Sequence, residues 1–285
     1  MCDFSIRTDL ALEAGERAKE EKKNVRGVII TEEFIEDAGI QMTKVVIESK
    51  NGARELGKPI GTYITLEAPD LAEPDEGYHR AISEELAKQI KVLLPKGEEL
   101  SVLVVGLGNR DVTPDALGPN VVNNLLITRH MIKEFGKAAY EEERNHLVSG
   151  IVPGVMAQTG METAEIIRGI IKETEPDMVV VIDALAARST KRLNRTIQIT
   201  NTGIHPGSGV GNNRNALTQE SLGVPVIAVG IPTVVDAATI VKDAMDNTLS
   251  SKNSLKNMFV TPKDVDENVK RLSYTISEAL NIALS

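Results

Sequence analysis

Three runs of apolar, β-branched residues constrain the fold of this chain most strongly. They are SVLVV at 101–105, DMVVVID at 177–183 and VPVIAVG at 224–230. Each run is apolar throughout, which is typical of strands buried on both faces of a parallel sheet. Helical patterns lie between and after them, at about 115–136, 162–174, 233–247 and 264–283. This alternation predicts an α/β domain, a mostly parallel sheet flanked by helices, with the ligand site at the carboxyl ends of its strands.

The first hundred residues predict additional, peripheral structure. Two extra N-terminal strands are expected at about 43–66, as TKVVIES and IGTYITL, and an amphipathic helix at 79–94 before Pro95. Residues 11–23 show a helical charge pattern without a clear apolar stripe. We therefore expect a loosely attached N-terminal segment.

Composition excludes several classes of function. The chain has 285 residues, 32 Lys and Arg against 41 Asp and Glu, a net charge of −9, 3% aromatic residues and no tryptophan. Direct nucleic-acid binding is not expected, because it needs cations for phosphates and aromatic rings for bases. Cys2 is the single cysteine, so a reducing compartment fits. No apolar run reaches the about 18 residues of a membrane span, and we expect a cytoplasmic protein without a membrane partner.

The stretch GLGNRD at 106–111 begins like a dinucleotide-binding loop and then departs from that pattern. A G-x-G-x-x-G loop needs glycine where Asp111 stands. The carboxylates of Asp111 and Asp115 would repel the phosphates that such a loop binds. A non-catalytic nucleotide-binding protein is kept as an alternative that Asp111 disfavours.

A pair of carboxylates is the stronger candidate site. Asp115 follows Pro114 at the start of a predicted helix, and Asp183 ends the run VVVID. Both should lie at the ligand edge of the sheet, where two acids can divide the roles of general base and general acid. The alternatives are that Asp115 caps its helix and that Asp183 bonds to a neighbouring loop.

His205, in the stretch GIHPGSG, opens two further alternatives. Together with the two aspartates it could bind a divalent metal, although for a lone histidine without an HxxxH or HExxH partner a loop position satisfied by backbone groups is the more common arrangement. The GSG at 207–209 follows His-Pro instead of a strand, which argues against a serine hydrolase.

Five long motifs together resemble the germination protease family. They are GLGNRDVTPDALGP (106–119), PGVMAQTGMET (153–163), VVVIDALAAR (179–188), GIHPGSGVGNNR (203–214) and GVPVIAVGIPTVVDA (223–237), with RTDLALEA (7–14) near the start. The family consists of spore endopeptidases that degrade small acid-soluble spore proteins during germination. The resemblance implies an α/β fold similar to the hydrogenase-maturation endopeptidases, a homotetramer and a location in the forespore or spore core.

The same resemblance implies an atypical aspartic protease that needs no metal or other cofactor. Its two essential aspartates correspond to Asp115 and Asp183. The Gly-rich loop with Gly207, Gly209 and Gly211, preceded by His205, would hold substrate backbone.

Finally, the resemblance implies a zymogen that removes its own N-terminal peptide. The family cuts its substrates within sequences similar to Thr-Glu-(Phe/Ile)-Ala-Ser-Glu, after the first Glu, and TDLALE at 8–13 has the same order of chemical types. The expected self-cleavage is therefore Asp9–Leu10. Residues 1–9 would form the propeptide and 10–285 a single α/β catalytic domain.

Overall fold

The computed structural model describes residues 9–20, 26–97, 99–136, 146–205, 215–237, 240 and 258–285. These residues form one nine-stranded sheet, in the order β1-β2-β3-β7-β8-β6-β4-β5 with β9 on the edge of β8. The strands are β1 Val28–Ile35, β2 Ile40–Ile47, β3 Gly61–Glu67, β4 Ser101–Gly106, β5 Leu147–Ile151, β6 Met178–Ala187, β7 Thr196–Thr200, β8 Val226–Asp236 and β9 Phe259–Val260.

The sheet has a parallel part and an antiparallel part. Strands β5, β4, β6 and β8 run parallel to one another, as the three apolar runs predict. Strands β7, β3, β2 and β1 continue the sheet from β8 in antiparallel order. The α/β class with extra N-terminal strands is thus confirmed. The sequence did not predict β1, because its centre carries Thr31, Glu32 and Glu33 on an exposed edge strand.

Helices cover both faces of the sheet. They are α1 Ala11–Glu20, α2 Lys50–Leu56, α3 Glu76–Leu93, α4 Leu117–Asn123, α5 Arg129–Phe135, α6 Met156–Thr159, α7 Thr163–Thr174, α8 Gln219–Leu222 and α9 Val265–Ala283. One face packs α3, α4 and α9 into the main core with Val180 and Ile182. On the other face, Ala164 and Ile167 of α7 pack against strands β4 and β6.

Two helix predictions are wrong in part. The pattern at 115–136 forms two helices, because Thr128 between them is bonded to β5: its Oγ1 accepts from Val148 N at 2.8 Å and donates to the carbonyl oxygen of His146 at 2.7 Å. The helix predicted from 233 begins too early, because Val234 and Val235 still pair with β6. Residues 238, 239 and 241–247 of that prediction lie outside the described part of the chain.

The expectation of a loosely attached N-terminal segment is also wrong. Leu10 is completely buried against Leu185, Ala187 and Val235. The four consecutive residues from Leu10 to Glu13 are all buried. Four buried residues in a row do not follow the 3.6-residue period of an amphipathic helix. A search of the sequence for an apolar stripe therefore misses them.

Candidate active site

The loop after β4 folds the Asp115 carboxylate back onto the end of that strand. Asp115 Oδ2 accepts a hydrogen bond from Asn109 N at 2.8 Å. Gly108 makes this approach possible, because its φ is +114° and a Cβ there would collide with the carbonyl oxygen of Asp115. Ala116, and not Asp115, stands at the N-cap of α4, and no side chain caps that helix. The helix-capping alternative for Asp115 is therefore wrong.

The start of α4 is pressed against the ends of β4 and β6. A Cβ on Gly118 would lie 2.6 Å from the carbonyl oxygen of Ile182, and one on Gly106 would collide with Gly118 itself. The 3₁₀ turn Thr113–Asp115 contacts both β6 and β8. Thr233 of β8 secures this turn by donating from Oγ1 to the Pro114 carbonyl oxygen at 2.7 Å.

Asp183 lies where β6 extends beyond its neighbour β4. The last pairing between these strands joins Gly106 to Ile182, after which Leu107 N donates to the Ile182 carbonyl oxygen at 2.8 Å. The sequence placed Asp183 at the end of its strand, but β6 continues to Ala187 because it remains paired with β8. Asp183 is 7% exposed, and its Oδ1 accepts from Ala184 N at 3.0 Å. The two aspartates thus reach one edge of the sheet from adjacent strands.

Asp111 belongs to the same loop but faces another element. This exposed residue accepts a hydrogen bond from Gln158 Nε2 at 3.1 Å, and Gln158 also donates to Asn109 Oδ1 at 3.1 Å. Gln158 lies in α6, so Asp111 and Asn109 tie the loop to that helix. Asn109 is the member of this network that contacts Asp115, through its backbone N.

His205 lines a cavity next to β8. The cavity has a volume of about 70 Å³ and is lined by His205, Leu185, Gly230 and Gln198, among others. Gly230 pairs directly with Asp183, so the cavity adjoins the strand position of that aspartate. Within the described ranges, no group of three or more His, Cys, Asp or Glu side chains is arranged to hold a metal ion. Gly207, Gly209 and Gly211 fall in 206–214, outside the described residues.

The predicted cleavage position also borders this cavity. Asp9 N donates to the Ala186 carbonyl oxygen at 3.1 Å, and Asp9 Oδ2 accepts from Ala186 N at 2.9 Å. The Asp9 carbonyl oxygen accepts from Lys58 Nζ at 2.9 Å and from Gln198 Nε2 at 3.2 Å. Sequence reasoning missed Lys58 and Gln198, because neither belongs to a recognisable motif and they come from distant parts of the chain.

Charged contacts complete the docking of the N-terminal segment. Glu13 accepts from Arg188 N at 2.9 Å, from Ser189 N at 3.1 Å and from Arg192 Nη1 at 3.3 Å. Burial lowers the pKa of Lys58 below its usual value, and the carboxylates of Asp9 and Glu13 oppose part of that effect. The segment is thus held by a mainly polar set of contacts around the buried Leu10.

Comparison with known proteins places the chain in a family. The family described as Germination protease matches residues 6–254. A germination protease of Caldanaerobacter subterraneus is 46% identical over 312 aligned positions, which cover 99% of this chain and 94% of the relative. Those of Clostridium perfringens and Bacillus mycoides are 42% and 49% identical, covering 99% and 85% of this chain and 95% and 66% of the relatives.

The Caldanaerobacter relative carries insertions, since its 312 aligned positions exceed the 285 residues of this chain. A crystal structure of a [NiFe] hydrogenase maturation protease HycI from Thermococcus kodakarensis matches 67% of this chain and 98% of its own. Its TM-score of 0.35 and identity of 17% are too low to carry an argument. No helix in the described ranges is long and apolar enough to cross a membrane. From the family match and the curated relatives together, this chain belongs to the germination protease family, and it is a peptidase.

Proposed function

We propose that this peptidase is the endopeptidase that begins the degradation of small acid-soluble spore proteins during germination. It acts as an atypical aspartic protease with Asp115 and Asp183 as its catalytic pair. It functions as a homotetramer in the forespore and spore core. The observation that supports the proposal best is the placement of two carboxylates, one from the loop after β4 and one from β6, next to the point where β4 stops pairing with β6.

The chemistry follows from two acids at one place. One carboxylate, ionised, removes a proton from the attacking water, whose oxygen bonds to the scissile carbonyl carbon. The other, protonated, donates to the carbonyl oxygen and later protonates the leaving nitrogen as the C–N bond breaks. Like charges at close range favour such a singly protonated pair, because ionising both acids costs electrostatic energy.

The chain is made as a zymogen and cleaves itself between Asp9 and Leu10. Residues 1–9 are the propeptide and 10–285 the catalytic domain. This part of the proposal is supported by the position of Asp9, which borders the cavity beside Gly230, the β8 partner of Asp183. The loop of Gly207, Gly209 and Gly211 is proposed to bind substrate backbone.

The decisive experiment replaces each acid separately. Asp115→Asn and Asp183→Asn are made in the chain that begins at Leu10, and hydrolysis of a purified spore protein is followed by mass spectrometry. Each should lower the rate by about 10²–10⁴-fold, the usual contribution of general acid–base catalysis. Asp111→Asn is the matched control and should keep nearly full activity, since Asp111 bonds only to Gln158 among the contacts that the structure describes for its side chain. Near-normal hydrolysis by either active-site variant would refute the pair.

A metal-dependent peptidase that uses Asp115, Asp183 and His205 is the second candidate. Its support is that His205 shares a cavity with Gly230, which pairs with Asp183, although His205 and the two aspartates are not arranged to hold a metal ion in the part of the chain that the structure describes. Activity that survives a strong chelator and the His205→Ala substitution would rule it out. Loss of activity on chelation, with recovery on adding back a divalent ion, would replace the proposed mechanism.

A further inference from the structure

The carbonyl oxygen of Asp9 receives two hydrogen bonds from different parts of the fold. Lys58 Nζ, just after α2, donates at 2.9 Å, and Gln198 Nε2, from β7, donates at 3.2 Å. Gln198 is held in this orientation, because its Oε1 accepts from Ala11 N at 2.6 Å. Two side chains about 140 residues apart in sequence thus converge on one peptide oxygen, on the amino-terminal side of the Asp9–Leu10 bond.

The chemistry of Lys58 suggests a purpose beyond binding a neutral peptide. A peptide carbonyl oxygen is satisfied by an ordinary neutral donor. Burial lowers the pKa of Lys58, because its ammonium group loses part of its hydration at this position. The carboxylates of Asp9 and Glu13 offset part of that loss, and an oxygen that becomes negatively charged during a reaction offsets more of it than a neutral carbonyl group does.

The position of Gln198 relates this oxygen to the aspartate on β6. Gln198 pairs with Gly230, and Gly230 pairs with Asp183, so all three lie at one level of the sheet. Directly paired residues point to the same face of the sheet. Gln198 and Asp183 are two strand spacings of about 4.8 Å apart, which makes roughly 10 Å. Gly230 between them has no side chain, and Leu185 packs over it, since a Cβ on Gly230 would lie 2.7 Å from Leu185 Cγ. Gln198 and Asp183 therefore lie on the same face of the sheet, on either side of Gly230 and the Leu185 side chain.

We propose that Lys58 and Gln198 form the oxyanion site for self-cleavage of the Asp9–Leu10 bond. The inference rests on the proposed function, specifically on cleavage at this bond. Water gives one proton to the ionised aspartate and adds to the Asp9 carbonyl carbon. Lys58 and Gln198 then share the negative charge on the carbonyl oxygen with the protonated acid. The electron pair on that oxygen re-forms the C=O double bond as the C–N bond breaks. The Leu10 nitrogen leaves with a proton from that acid.

The test follows the appearance of a Leu10 N-terminus by intact-mass spectrometry of the full chain. Lys58→Met and Gln198→Leu should each slow this first-order step by about 10²–10³-fold, as loss of one oxyanion donor does elsewhere. Lys58→Arg should retain part of the rate, because it keeps a positive donor. Lys50→Met is the matched control, because Lys50 is an exposed lysine at the start of α2, the helix that Lys58 follows, and this variant should cleave normally.

A second measurement separates catalysis from docking. Hydrogen exchange of the Ala14 amide, which donates to the Leu10 carbonyl oxygen, should show the segment still docked in Lys58→Met and Gln198→Leu while cleavage is slow. The Ala11 amide is left out of this measurement, because Gln198→Leu removes its acceptor. Cleavage within about threefold of wild type, or loss of docking in step with the rate, would overturn the oxyanion role. If the wild-type chain never yields a Leu10 terminus, the proposed cleavage site itself is refuted. If the wild-type chain yields the Leu10 terminus no faster than Lys58→Met does, the oxyanion site alone is refuted.

Discussion

Replacing Glu13 by glutamine should release the N-terminal segment from the body of the protein. Glu13 is 3% exposed, and its carboxylate accepts from two backbone N–H groups, of Arg188 and Ser189, and from Arg192. Glutamine keeps one oxygen and presents an NH₂ group in place of the other. One backbone donor then faces another donor, and the charge that strengthened all three hydrogen bonds is lost.

The magnitude follows from these contacts. Hydrogen bonds to a charged group contribute about 1.5–3 kcal/mol each, and breaking a buried ion pair costs about 3–5 kcal/mol. Arg192 keeps Glu16 at 2.6 Å and Glu67 at 3.1 Å, so its own charge stays paired. Because Arg192 stays paired, we expect less than the full cost of breaking a buried ion pair, a loss of about 2–4 kcal/mol of docking free energy. At 1.4 kcal/mol per factor of ten, the undocked population should rise about 30- to 700-fold.

Hydrogen exchange of the Ala11 and Ala14 amides measures that population, because both amides are bonded only while the segment is docked and helical. Glu16→Gln is the matched control, since Glu16 binds the same arginine but is 47% exposed, and it should cost less than about 1 kcal/mol. Equal effects of the two substitutions would refute the argument that burial of Glu13 makes the difference.

Two further predictions concern the sheet edge and the cavity. Gly118→Ala should destabilise the protein by about 3 kcal/mol in urea unfolding, because its Cβ would meet the Ile182 carbonyl oxygen. Gly169→Ala, in open space on α7, should stabilise it by up to about 1 kcal/mol. The reverse order of stabilities would contradict this reasoning. Self-cleavage should fall as pH rises through the lowered pKa of Lys58, since only the protonated amine carries the charge, and the fall should begin below about pH 10.4. Burial raises the pKa of the neighbouring Tyr63, so the Tyr63 hydroxyl stays neutral in this pH range. If the alkaline limb of the rate–pH profile were unchanged in Lys58→Arg, that result would count against the assignment to Lys58.

The parallel core and its ligand edge were predictable from the sequence. The runs that become β4, β6 and β8 are apolar at every position, and only a strand covered on both faces tolerates that composition. Parallel strands end at a common edge, so residues that follow them along the chain are brought together whatever their separation in sequence. For that reason Asp115 and Asp183 could be named as a pair, although their catalytic role is still a prediction.

Features that depend on long-range contacts could not be predicted. The burial of Leu10 and Glu13 depends on the carboxyl end of β6, about 175 residues away, and no local pattern encodes it. Lys58 and Gln198 have ordinary sequence surroundings, and their convergence on one carbonyl oxygen exists only after β3 and β7 have joined the sheet.

The sequence by itself determined the class of fold, the family and the two aspartates, because periodicity and motifs are local properties that survive without tertiary contacts. Only the tertiary structure decided how far the strands extend and how the N-terminal segment is seated. Asp183 lies within β6 and not at its end, since β8 continues to pair beyond the point where β4 stops. Strand length is set by the partner strand as well as by the residues of the strand itself, and that partner lies outside any local window of sequence.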